Sequence, residues 1–145
     1  MRILPKLTVL TLILLSFSTT YGGTADDTLY VSGNAVVFFG PTQPEYDSLN
    51  ENRQAEMNEV ISDFYHYHSE VTPFLERNGI KDFITAKALI TIQLTGTEIR
   101  SFRRQNFKHA MGMIMSDGKR EPKVYLGVAT DFDLIEMFKD FFIID

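Results

Sequence analysis

Residues Ala110 to Phe142, AMGMIMSDGKREPKVYLGVATDFDLIEMFKDFF, carry the stretch whose reading decides the fold. Met111 to Met115 reads as a strand, Asp117-Gly118 as a turn, Val124 to Val128 as a second strand and Asp131 to Phe142 as a closing helix. In the helix, Leu134, Ile135, Phe138, Phe141 and Phe142 repeat at the 3.6-residue period and form one apolar face. That face has to cover a sheet. Thr130 with Asp133 makes an imperfect capping box, and Asp131 and Asp133 sit where the helix dipole favours negative charge. The segment therefore predicts a hairpin with a helix folded back over it.

Upstream, Ala35-Val36-Val37-Phe38-Phe39 is a continuous apolar run that stops at Gly40-Pro41. A run without alternation suits a central strand covered on both faces. Leu29 to Val31 reads as a short edge strand, with a turn at Gly33-Asn34. A long helical region follows Pro41, entered through Thr42 with Glu45 or Ser48 with Glu51. Its apolar spacing runs through Met57, Val60, Ile61, Phe64, Tyr67 and Val71 to Phe74 and Leu75. Pro73 lacks a backbone donor, which predicts a kink or a break, and Asn78-Gly79 supplies the stop. Glu56, Glu59, Asp63, His66 and Glu70 mark the wet face. Beyond Ile80, Phe83 to Thr85 and Leu89 to Leu94 read as strands, and Thr95-Gly96 turns the second into a hairpin arm at Glu98 to Phe102.

Residues 1–25 read as an export signal. Arg2 and Lys6 form the basic start, Leu7 to Leu15 is apolar apart from two threonines, and small residues allow cleavage after Ala25 or after Gly22. The apolar run is short for a membrane span. The expected mature chain, 26–145, is one secreted or periplasmic domain with no later membrane span, large enough to bury a core without a metal or disulfide. With the two signal bases removed it carries 12 basic against 19 acidic groups, a net charge of −7. Such a balance argues against nucleic-acid binding, which depends on neutralising phosphates. The absence of cysteine excludes disulfides, thiol catalysis and thiolate metal sites.

The order of elements resembles the thioredoxin-like fold, an α/β architecture with a mixed sheet of about four to six strands, a long kinked helix and a C-terminal helix. Val36 to Thr42 is similar to the strand and turn that precede the family's long helix, with Phe39 and Thr42 standing where its cysteines would be. Met113 to Lys119, Val124 to Gly127 and the last helix are similar to its closing hairpin and helix. The resemblance implies a working surface at Gly40, Pro41 and Thr42. It implies no dithiol exchange, because both cysteines are missing. Lys108-His109-Ala110-Met111 stands in place of the family's cis-proline segment, and the Leu89 to Phe102 hairpin takes the place of a family helix.

His66-Tyr67-His68 invites a metal reading, but helical residues two apart point away from each other, and a solvated face is the simpler account. No metal or cofactor is predicted. No nucleophile-elbow, H-E-x-x-H or S-x-x-K string occurs, and Ser116 reads as an ordinary turn serine. Arg100, Arg103, Arg104, Lys108 and His109 form the basic concentration of an otherwise acidic chain. They suit docking of an anionic ligand or partner surface, or charge protection of an edge strand. The expectation is an exported, non-catalytic binding protein with a protein partner, such as an inhibitor or immunity-type protein. The alternative is an enzyme, not thiol-based, whose site is assembled near the Gly40 to Thr42 turn with His109 and an arginine nearby.

Overall fold

A computed structural model describes residues 27–107 and 111–144, so the expected export signal at 1–25 and the Lys108 to Ala110 positions lie outside the described residues. The described residues form seven strands: β1 (Thr28–Val31), β2 (Ala35–Phe39), β3 (Lys81–Thr85), β4 (Leu89–Gln93), β5 (Ile99–Arg103), β6 (Gly112–Ser116) and β7 (Lys123–Leu126). Three helices accompany them: α1 (Gln43–Asp47), α2 (Glu51–Arg77) and α3 (Asp131–Phe142). A 3-10 turn spans Arg104–Phe107.

The apolar run at 35–39 is the hub. β2 lies between β3, to which it is parallel, and β6, to which it is antiparallel, while β7 extends the sheet beyond β6 in the order β3-β2-β6-β7. All five β2 residues are buried because each face of the strand has its own cover. Val36 and Phe38 point into a core with Ile61, Phe64 and Leu75 of α2 and Leu134 and Phe138 of α3. Ala35, Val37 and Phe39 point the other way, against Ile90 and Ile92 of β4. The period-2 alternation repeats in β6, where Met113 and Met115 join the helix side and Ile114 the opposite one.

The four-stranded sheet, with α2 and α3 on one face, has the strand order and directions of the thioredoxin-like arrangement. Its second face is covered by more sheet. The Leu89 to Phe102 hairpin becomes β4 and β5, and β1 pairs parallel to β4, giving a three-stranded sheet of order β1-β4-β5. The result is three layers: helices, a mixed sheet, and a second mixed sheet.

Local chemistry sets the boundaries. The entry to the helical region divides in two: Thr42 Oγ1 accepts from the Glu45 N–H at 3.4 Å to cap α1, and the Asn50 side chain accepts from the Arg53 N–H at 2.9 Å to cap α2. Ser48 is the C-cap of α1, so the Ser48 to Glu51 box is not the start of the long helix. No break occurs at Pro73; α2 runs through it to Arg77. Pro73 and Ser69, whose carbonyl it leaves without an N–H, are both exposed, so water can satisfy the oxygen. Thr72 Oγ1 donates back to the His68 carbonyl at 2.9 Å, a contact of the kind that bends helices locally.

The β6–β7 turn is held by Asp117, whose Oδ1 accepts from the Lys119 and Arg120 N–H groups at 2.8 Å each, and Gly118 supplies the left-handed backbone (φ 77°) the turn requires. Helix α3 begins and ends where its periodicity places it, with Thr130 Oγ1 accepting from the Asp133 N–H at 3.3 Å. Phe138 is fully buried at its centre, with its ring stacked 6.3 Å from that of Phe74. Among the described residues, no helix is long and apolar enough to cross a membrane.

Candidate functional site

Gly40, Pro41 and Thr42 follow β2 directly and are all buried. The guanidinium of Arg104 closes over this turn. Its Nη1 donates to the Gly40 carbonyl at 3.4 Å and to Glu45 Oε2 at 3.1 Å, and its Nη2 donates to Glu45 Oε1. The pair is well removed from water, with side-chain exposures of 7% for Arg104 and 14% for Glu45. Arg104 Nε is buried and has no hydrogen-bond partner among the described residues. Thus the turn and one of the expected arginines do meet, but through an internal ion pair that ties α1 to the end of β5.

The basic concentration is divided among different surroundings. Arg100 Nε donates to Glu121 at 2.8 Å, Arg103 is exposed at the end of β5, and Arg104 is interior. Lys108 and His109 lie outside the described residues. β5 is an edge of the second sheet, so Arg103 is also placed where charge discourages strand pairing.

The histidines part as helix geometry requires. His66 is exposed on the acidic face of α2. His68 turns inward, with Nε2 at 2.9 and 3.1 Å from the two carboxylate oxygens of Asp82 on β3. A carboxylate only accepts, so Nε2 carries the hydrogen in this pair. Thr72 Oγ1 stands 3.5 Å from the same carboxylate. The imidazole meets the Phe38 ring edge-on at 5.0 Å and stacks on Phe64 at 5.9 Å. Among the described residues, no group of three or more His, Asp or Glu side chains could hold a metal ion.

His68 also borders a narrow cleft with a cavity volume of about 20 Å³. One wall is α2, through Phe64, Tyr67 and His68. The floor is sheet, through Phe38, Met113 and Tyr125. The far wall is the β7–α3 junction, Gly127 to Ala129, with Leu134 behind it. Gly112 permits the close approach of floor and edge strand: a Cβ there would stand 2.5 Å from the Tyr125 carbonyl oxygen and 2.7 Å from Phe39 Cζ. Phe132, on the first turn of α3, is 70% exposed, and Leu126, on the opposite face of β7 from Tyr125, is 55% exposed.

Sequence reasoning placed Phe64 and Tyr67 on the apolar stripe of α2 but had no signal for the cleft, for the His68–Asp82 pair or for Glu45 as the partner of Arg104. The one available hint was Asp82 itself, an acid at the start of a strand that begins right after the helix carrying His68. Compared with known proteins, the chain matches no family model, no curated protein and no solved structure.

Proposed function

We propose that the protein is an exported, non-catalytic binding protein that engages another protein through the surface formed by the cleft and the β7–α3 junction. The observation that carries this reading is Phe132, 70% exposed on the first turn of α3, two residues before Leu134 of an apolar, ring-lined crevice. Such a surface offers shape and apolar area, which is what protein contact uses at its centre. The turn at Gly40 to Thr42, the rival location, has its arginine and its carboxylate committed to each other. Export rests on the basic and apolar pattern of residues 1–25.

Inhibitor or immunity-type activity is the version of this function that fits a small acidic chain, since such proteins work by covering a partner's surface. Affinity purification of the tagged chain from the exporting host, followed by analysis of both protein and small-molecule content, tests the reading. A stoichiometric protein partner that is lost on Phe132→Asp is the expected result. A bound small molecule with no protein partner would overturn it in favour of an enzyme or a ligand carrier.

A further inference from the structure

We infer that β7 is the seam of a two-fold dimer, its free edge pairing antiparallel with the same edge of a second copy of this chain. This goes beyond the partner surface proposed above and does not depend on it.

β7 ends the four-stranded sheet, with β6 on its inner side and, among the described residues, no strand beyond it. The register sets Gly112 opposite Leu126 and Ile114 opposite Val124, and the Gly127 N–H donates to the Met111 carbonyl at 2.7 Å. Antiparallel ladders alternate bonded and non-bonded pairs, so Lys123, Tyr125 and Gly127 turn their backbone groups toward β6 while Val124 and Leu126 turn theirs outward. Among the described residues, nothing donates to or accepts from those outward groups. An open edge of this kind is a template for another strand, because an extended backbone supplies donors and acceptors at the matching spacing. Val124 is half-buried and Leu126 is 55% exposed, both on the face of β7 away from the helices.

The strand's own pattern selects a second copy as the occupant. A two-fold axis at Tyr125, perpendicular to the sheet, places Val124 opposite Leu126 of the second copy and Leu126 opposite its Val124. Each of these residues then exchanges its outward N–H and C=O with the residue it faces. The same axis sets the two Tyr125 side chains side by side on the helix face and covers each Leu126 with a valine on the other face, both favourable cross-strand pairs. Lys123, the one charged residue of the strand, falls opposite Gly127, so like charges do not meet. Pro122 has no N–H to give and Gly127 leaves the strand conformation with φ 115°, so the seam is confined to Val124 through Leu126. The opposite edge of the same sheet is a poorer template: β3 opens with Lys81-Asp82, charged as protected edges are.

Sedimentation velocity of the mature chain, 26–145, from about 10 µM to about 1 mM tests this, with amide hydrogen exchange followed over the same range. The expected result is a monomer–dimer equilibrium, with exchange at Val124 and Leu126 slowing about threefold or more as concentration rises. Tyr125 and Gly127, already bonded to β6, should change little. Leu126→Pro removes an N–H that the β6–β7 ladder does not use, so this variant should fold and stay monomeric throughout. If it does not fold, Leu126→Lys, which sets a charge on the edge, decides in its place and should weaken the dimer about tenfold or more. A native chain that is monomeric at the highest concentration, a dimer that the folded variant leaves unchanged, or slowed amides on another edge each overturn the inference. Phe132→Asp should keep the dimer. A dimer found with no heterologous partner would remove the binding reading and leave this one standing, and a heterologous partner bound to a strictly monomeric chain would do the reverse.

Discussion

Replacing Arg104 by Met tests the internal ion pair more sharply than any other single change. In the native protein the guanidinium donates to both oxygens of Glu45 and to the Gly40 carbonyl, with both side chains largely withdrawn from water. Breaking a buried pair by removing one partner costs about 3–5 kcal/mol, because the remaining charge is left unpaired. Glu45 keeps a little exposure and sits on a five-residue helix that can shift, so the lower end, about 3 kcal/mol, is expected. Out of a typical total of about 5–15 kcal/mol that is a large fraction, and for a domain of this size it lowers Tm by about 10–15 °C.

The double variant Arg104→Met/Glu45→Met should recover most of the loss, to within about 1 kcal/mol of the native chain. Recovery follows because the pair's attraction is offset by desolvation and by the buried, unpartnered Arg104 Nε. Urea unfolding followed by circular dichroism, with unchanged m-values, measures all four members of the cycle. A single-variant loss below about 1 kcal/mol, or a double variant as unstable as the two singles summed, would refute the reasoning.

Three further outcomes follow from local geometry. Gly112→Ala drives a Cβ into the Tyr125 carbonyl and the Phe39 ring, so a loss of about 1–3 kcal/mol is expected in the same urea assay, with shifted amide resonances at Tyr125. Pro73→Ala restores the N–H for Ser69 and removes no buried contact; a gain of about 1–3 kcal/mol is expected, and a loss would mean that the proline shapes α2 to its core. Burial alone would raise the Asp117 carboxyl, but the Arg120 backbone N–H, the Arg120 guanidinium and the Lys119 N–H together hold it below its ordinary value of 3.8. The stability it contributes is thus present above about pH 4 and lost as the pH falls through the lowered value. Asp117→Asn should be less stable than the native chain at pH 7, and thermal melts should show the gap closing below about pH 4.

The parts of the fold that were legible in the sequence are those whose signal is local. Five consecutive apolar residues before Gly40-Pro41 announced a strand covered on both faces, and the spacing from Leu134 to Phe142 with Thr130 as cap located α3 to the residue. The second sheet was half legible. The β4–β5 hairpin is signalled by alternation and Thr95-Gly96, whereas the parallel pairing of Thr28–Val31 with Leu89–Ile92 joins segments about 60 residues apart and has no local mark.

The site shows the same division. Arg104 looks in sequence like one more member of a basic surface cluster, and only its meeting with Glu45, 59 residues away, turns it into an interior group. His68 reads as one of a spaced pair of helix histidines until β3 folds alongside and brings Asp82 to its Nε2. The cleft is less visible still, since it arises from three segments converging.

The claim on which the functional account turns is that contact with a partner is made at the β7–α3 junction. A photo-reactive benzoylphenylalanine placed at Phe132 reads this directly, with Tyr30 on the β1 edge as the comparison position, 75% exposed and on the other sheet. Irradiation of the chain in its native host should give a discrete protein adduct from position 132 and none from position 30. An adduct from position 30 alone would move the contact surface to the second sheet and contradict the account.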